Sequence, residues 1–263
     1  MIRALYTSAT GMNAQTTNID NTANNLANVN TTGYKKSEVS FQDLLYYNQQ
    51  APGGTAAQGL QIPTGIQIGS GTRVSGITKI FTPGTLINTQ NPLDIAIEGD
   101  GFFQVLLPNG EIRYTRDGSF RVNAQGSLVT SDGFLVSPQI TIPPQAVSIS
   151  IGSDGTVSVQ NAGALNTTTV VGQLTLVRFQ NPAGLSAEGR NLFAETAASG
   201  APIISVPGQN GAGFTRQGFL ERSNVDIVSE LINLITSQRA YEFNTRAIRT
   251  ADNMLAATME LIR

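Results

Sequence analysis

The stretch SNVDIVSELINLITSQRAYEFNTRAIRTADNMLAATMELIR, residues 223–263, decides the fold of this 263-residue chain. Ile227, Leu234, Tyr241, Ile248, Leu255 and Ile262 recur at every seventh position, and Leu231, Gln238, Thr245, Asp252 and Met259 fall between them. A seven-residue period sustained this far, with no Gly or Pro to interrupt it, is the pattern of a helix packed lengthwise against another helix. Ser223 and Asn224 are good N-cap residues, and Asp226 suits the positive end of the helix. At 1.5 Å per residue the helix reaches roughly 58 Å, longer than a compact domain of this size requires. It needs a partner.

The partner is expected at the other end of the sequence. Leu5, Met12, Ile19 and Leu26 are again seven apart, with the small residues Ala9, Thr16 and Ala23 between them. Residues 1–33 and 223–263 therefore read as two helices of one coiled coil, parallel or antiparallel. Between Met1 and Gly33 the charged side chains are Arg3 and Asp20; Asn, Thr and Gln cover most of the rest. Asn and Thr are poor helix formers, and free surfaces are normally salted with Lys and Glu. Such a composition suits a helix crowded by neighbouring subunits, where amides pair and charges are costly. An Asn/Thr/Gly cluster, Asn28 to Gly33, stops it.

Composition narrows the chemistry. A net charge of −2 and 13% charged residues leave no basic patch for nucleic acid. No stretch is apolar enough to span a bilayer as a helix, and the N-terminus lacks the basic-then-apolar pattern of a cleaved secretory signal. With no Cys there is no disulfide framework. With no His or Cys the usual general base, thiolate nucleophile and most transition-metal sites are gone, so no cofactor or metal is expected.

Residues 34–75 read as an extended connector. Tyr46 and Tyr47 lead into a stretch rich in Gln, Ala, Gly and Pro, and Leu60, Ile62, Pro63, Ile66 and Ile68 follow in short apolar pairs between turns. The glycines there precede neither a Lys-Ser/Thr pair nor a helix pattern, which argues against a phosphate loop. Residues 76–222 read as a mostly antiparallel β domain. Asn109-Gly110, Asp117-Gly118, Asp132-Gly133 and Asp154-Gly155 are hairpin dipeptides between apolar or β-branched runs. Asp100, Asp117, Asp132 and Asp154 each precede Gly, so turn duty accounts for them better than a catalytic carboxylate pair does. The fold class is α+β, and the chain reads as a non-enzyme.

Several stretches carry a family likeness. Ala23-Asn24-Asn25-Leu26-Ala27-Asn28-Val29-Asn30-Thr31-Thr32-Gly33-Tyr34-Lys35 resembles the N-terminal signature of bacterial flagellar rod and hook proteins. Asp94 to Phe103 resembles their mid-chain motif, Tyr114 to Phe120 the one that follows it, and Gln217 to Asp226 with Gln238 to Glu242 their C-terminal signature. The stretches lie in order along nearly the whole chain. Its length and the Leu60–Gly71 stretch resemble the distal rod branch most, with proximal rod and hook subunits as the alternatives.

The resemblance implies a structural subunit of the basal-body rod, in the periplasm, polymerising into a stiff hollow drive shaft around the export channel. It implies export by the flagellar type III apparatus without a cleaved signal. It also implies contacts with itself, with proximal rod and hook proteins, and with the peptidoglycan-layer and outer-membrane rings. The expected assembly seam is Leu5, Met12, Ile19 and Leu26 with Leu231, Leu234, Tyr241, Ile248, Leu255, Met259 and Ile262. The expected stiffener is the 46–71 segment with Tyr46, Tyr47, Leu60, Ile62, Pro63, Ile66 and Ile68. Two rivals remain at this stage: a trimeric coiled-coil fibre, and a carboxylate-dependent polysaccharide enzyme.

Overall fold

A computed structural model describes residues 2–50, 55–57, 60–61, 64–161 and 168–260, with side chains placed for 3–50, 64–161 and 168–260. Among the described residues, two α-helices and many short, antiparallel strands make the fold α+β. The chain divides into two compact units, one of Met1–Ala27, Ser37–Thr78 and Asp226–Arg263, the other of Asn28–Lys36 and Lys79–Val225.

The first unit contains α1 (Ile2–Ala27), then β1 (Ser37–Asp43), β2 (Tyr47–Gln50), β3 (Thr55–Ala57), β4 (Leu60–Gln61), β5 (Ile66–Ile68) and β6 (Thr72–Lys79), and finally α2 (Ile227–Glu260). The segment expected to be an extended connector is a nested ladder: β1 pairs with β6, β2 with β5 and β3 with β4. Its Ile66-Gln67-Ile68 run has the two-residue period that a strand needs. The many threonines of α1 stay helical by bonding back to the turn before: Thr16 Oγ1 donates to Met12 O at 3.0 Å and Thr17 Oγ1 to Asn13 O at 3.1 Å. Asn25 ties β1 to this helix. Its Oδ1 accepts from Ser37 N at 2.9 Å while its Nδ2 donates to Ser37 O at 2.8 Å, so the amide stands in for a neighbouring strand.

At 34 residues α2 is about 51 Å long. It starts three residues later than Ser223 would place it. Asp226 is the cap, its carboxylate accepting from Val228 N at 3.4 Å, Ser229 N at 3.3 Å and Ser229 Oγ at 2.5 Å. Asn224 belongs instead to the second unit, where its side chain bonds Lys36 N and Ile80 O at 2.8 Å each.

The second unit holds β7 (Leu86–Asn88), β8 (Ile95–Glu98), β9 (Phe102–Leu106), β10 (Ile112–Thr115), β11 (Arg121–Val122), β12 (Leu128–Val129), β13 (Leu135–Ser137), β14 (Ala146–Ile151), β15 (Thr156–Asn161) and β16 (Thr168–Gln173). Then follow β17 (Leu176–Arg178), β18 (Ser186–Gly189), β19 (Leu192–Ala194), β20 (Ile203–Ser205), β21 (Phe214–Gln217) and β22 (Phe219–Glu221). The main sheet runs β11-β12-β13-β9-β10-β19-β18, with β17 joining β9 to β20. A three-stranded meander, β14-β15-β16, closes a core of Ile95, Ile97, Phe103, Phe120, Val136, Ile140, Val157, Leu174 and Leu176. A second cluster stacks Phe81, Phe102, Phe179, Phe193 and Tyr114 edge to face at 4.8–5.9 Å.

Gly110, Gly133 and Gly155 take positive φ and turn the β9–β10, β12–β13 and β14–β15 hairpins as expected. Gly118 does not. The strands around it, β10 and β11, are not paired with each other, and Gly118 is needed because a Cβ there would overlap the Ile95 carbonyl. Ile95 N donates to Gly118 O at 3.0 Å across that close approach.

Candidate functional site

The features of the described residues that bear on function are the helix pair, the nested hairpin and a buried charge cluster. In the first unit α1 and α2 run antiparallel. Gly11 faces Asn244, Thr245 Oγ1 donates to Met12 Sδ at 3.5 Å, Asn18 Nδ2 donates to Ser237 Oγ at 2.7 Å, and Asn25 Nδ2 donates to Glu230 Oε2 at 3.3 Å. The contact therefore steps through Gly11, Asn18 and Asn25 on one helix and Glu230, Ser237 and Asn244 on the other, with Ala251 buried one heptad further on.

The seven-residue period is as read, but its phase within one chain is displaced by one residue, about 100° around the helix. Small and polar residues face each other along this line: a Cβ on Gly11 would lie 3.0 Å from Asn244 Nδ2. Bulkier residues flank that line. Leu5, Met12, Ile19, Leu26, Leu234, Ile248 and Leu255 are half-buried, whereas Leu231, Tyr241 and Met259 are exposed; Ile262 lies outside the described residues. The small residues Ala9, Thr16 and Ala23, expected within the seam, face outward.

The side of α2 away from α1 is apolar over its first turns. Ile227, Val228, Leu231, Ile232 and Ile235 are 41–64% exposed, and at i, i+1, i+4, i+5 and i+8 they form one ridge. Arg239, Glu242, Arg246 and Arg249 follow, all exposed. On the hairpin, Tyr46, Tyr47, Ile66 and Ile68 are exposed, and the Arg3 guanidinium lies 4.0 Å over the Tyr47 ring. Of the other expected stiffener residues, Leu60 contributes its backbone to β4, while its side chain, Ile62 and Pro63 lie outside the described residues.

The charge cluster in the second unit was not singled out from sequence. Lys35, Arg116 and Glu221 are all but fully buried. Glu221 Oε1 accepts from Lys35 Nζ at 2.7 Å and Gly84 N at 2.9 Å, and its Oε2 accepts from Arg116 Nε at 2.8 Å. Arg116 Nη1 also donates to Gly99 O at 2.9 Å and Gly101 O at 2.6 Å, and Lys35 Nζ to Thr82 O at 2.8 Å. Two cations against one carboxylate leave the cluster one positive charge in excess. Burial, then Arg116, push the Lys35 ammonium below its ordinary value, and Glu221 offsets this only in part. Burial pushes the Glu221 carboxyl up, but Arg116 and Lys35 together hold it below the usual carboxylate range.

Gly33, with φ of 67°, sits beside the cluster, where a Cβ would come within 2.7 Å of Asp117 N; its own N–H donates to Glu221 O at 2.9 Å. All three charged residues fall inside the stretches quoted for the family likeness. Each of the three has a second charge beside it in sequence, Lys36, Asp117 and Arg222, so no local signal marked it as buried.

The turn acids do turn work. Asp117 Oδ1 accepts from Ser119 N at 3.1 Å, and Asp154 accepts from Thr156 N at 3.1 Å and Thr156 Oγ1 at 2.7 Å. Among the described residues no group of three His, Cys, Asp or Glu is placed to hold a metal, and no helix is long and apolar enough to cross a membrane.

Comparison with known proteins gives three family matches in sequence order. Residues 5–35 match the flagella basal body rod protein family, 96–159 the D1 domain of the flagellar hook protein FlgE/F/G family, and 216–261 the C-terminal region of flagellar basal body rod FlgEFG proteins. The chain is 48% identical to the flagellar basal-body rod protein FlgG of Borreliella burgdorferi, covering 100% of both chains. It is 48% identical to that of Caulobacter vibrioides over 99% of each, and 40% identical to that of Bacillus subtilis over 100% of each.

Proposed function

The chain belongs to the FlgG family of flagellar basal-body rod proteins, FlgG being the distal rod protein, and from that premise we propose how it builds the rod. It is a structural subunit of the flagellar basal body and not an enzyme. In this reading α1 and α2 form the inner tube around the export channel as a coiled coil. The subunit crosses the periplasm as part of a stiff, hollow helical polymer that carries torque from motor to hook. It meets proximal rod and hook proteins at its ends and the peptidoglycan-layer and outer-membrane rings around it. It leaves the cell through the flagellar type III apparatus without a cleaved signal.

The observation that carries this is the ridge Ile227, Val228, Leu231, Ile232 and Ile235, large apolar side chains left exposed on a helix whose intrachain face is small and polar. A surface of this kind finds its burial between copies. Head-to-tail contacts that do not close on themselves generate an open helical filament. Leu231, Tyr241 and Met259 then complete the expected seam from the outside, while Leu5, Met12, Ile19, Leu26, Leu234, Ile248 and Leu255 flank it. The hairpin bearing Tyr46, Tyr47, Ile66 and Ile68 reaches a neighbouring subunit and stiffens the shaft.

The test is Leu231→Asp. Because Leu231 is exposed in the single chain, the variant keeps its far-UV circular dichroism and loses polymerisation in sedimentation and electron microscopy. Normal polymer from this variant refutes the ridge. Deleting residues 46–71 leaves a polymer that bends; a straight one rules out the stiffening role.

A further inference from the structure

A second apolar surface lies at the other end of α1. Arg3, Tyr6, Thr7, Tyr47, Ile68, Gly69 and Ser70 line an open cleft of about 310 Å³. Around it Leu45 is 90% exposed, and Tyr6, Tyr46 and Ile66 are about half exposed. The apolar rim extends well past the cleft, so its area suits a protein segment better than a small molecule. Arg3 is the charged residue lining the cleft, stacked on Tyr47 and with no acid among the other lining residues.

One segment of the same chain has the opposite character. Residues 250–260 of α2 carry Asp252 and Glu260 and no Lys or Arg. On this segment Met254 is 47% exposed and Met259 73% exposed. Methionine is the adaptable filler of aromatic-lined clefts, and its sulfur interacts favourably with ring edges. Position also favours the match. The antiparallel contacts Gly11–Asn244 and Met12–Thr245 put the later turns of α2 at the same end of the helix pair as Arg3 and Tyr6. Copies arrayed in one orientation therefore bring the cleft of one and the methionine-bearing turns of the next to the same level.

We propose that the Arg3–Tyr6–Tyr47–Ile68 cleft of one copy receives the Met254–Glu260 turns of a second copy, with Met259 against the tyrosines and Glu260 paired with Arg3. The inference rests on the rod reading and adds to it a specific contact between copies.

The chain has no cysteine, which makes cross-linking clean. In the full-length Ser70→Cys/Met259→Cys protein, oxidation after polymerisation yields a ladder of disulfide-linked oligomers that either single variant lacks. Polymer without a ladder overturns the proposal and leaves the rod reading standing. A disulfide confined to single chains overturns it too, because the cleft is then filled by its own α2. Failure of the parent chain to polymerise overturns both.

If the cysteine pair itself disturbs assembly, charge reversal decides. Arg3→Glu and Glu260→Lys each raise the critical concentration for assembly by about fivefold, and the double variant restores it to within about twofold of the parent. Singles without effect, or a double no better than the worse single, refute the pairing.

Discussion

Replacing Glu221 by Gln keeps the shape of the side chain and removes the counter-charge of the buried cluster. Arg116 would keep its bonds to Gly99 O and Gly101 O, and Lys35 its bond to Thr82 O, so few hydrogen bonds are lost. What changes is that two cations, almost fully buried, lose the one carboxylate that contacts them both. Breaking a buried pair in this way costs about 3–5 kcal/mol, a large part of the roughly 5–15 kcal/mol that holds a domain together. Lys35→Met is the control. It removes the excess positive charge and leaves Glu221 with Arg116 and Gly84 N, so it costs about 1–2 kcal/mol. The double variant should be more stable than Glu221→Gln alone, since only one buried cation remains. Urea unfolding of the monomer, followed by circular dichroism, measures all three.

The cluster also predicts an acid limb. Because the folded state holds the Glu221 carboxyl below its unfolded value, its contribution is fully present above about pH 4.5 and is lost as pH falls through the folded pKa. Wild type should therefore lose stability more steeply than Glu221→Gln below about pH 4.5. A Glu221→Gln cost under about 1 kcal/mol, a Lys35→Met cost exceeding it, or parallel acid limbs would refute the reasoning.

Three further outcomes are expected. Gly118→Ala should destabilise the β unit by on the order of 3 kcal/mol, because the added methyl meets the backbone carbonyl of Ile95 and not a side chain that can swing aside; a thermal melt tests it. Gly11→Ala should change stability by less than about 1 kcal/mol, since Asn244 can yield a few tenths of an ångström and the helix gains propensity, whereas Gly11→Leu should force α1 from α2 and lower the helical signal. Burial pushes the Tyr114 phenol up to about 12, so its contribution is whole below pH 10 and fades as pH rises towards 12; the tyrosinate absorbance difference between wild type and Tyr114→Phe should show that late step.

The period of the terminal helices, the β character between them and three of the four Asx-Gly hairpins follow from local rules. Heptad spacing, strand alternation and turn chemistry are properties of neighbouring residues, and neighbours in sequence are read directly. Even the nested hairpin can be seen afterwards in Tyr47-Asn48-Gln49-Gln50 and Ile66-Gln67-Ile68.

What only the tertiary structure decided is which side of each pattern faces what. A helix with apolar residues every seventh position and small polar residues one place before them can pack on either line. In the folded chain the small line is the one in contact, with the Asn244 side chain seated over Gly11, and Leu231 and Met259 are left outward. Gly118 looked like a turn because its neighbour is Asp117, and its true constraint, the Ile95 carbonyl, lies 23 residues away in sequence. Lys35, Arg116 and Glu221 meet across separations of 81, 105 and 186 residues, which no local pattern encodes. Burial makes three ordinary surface-type charges into one unit, and burial is a property of the folded chain.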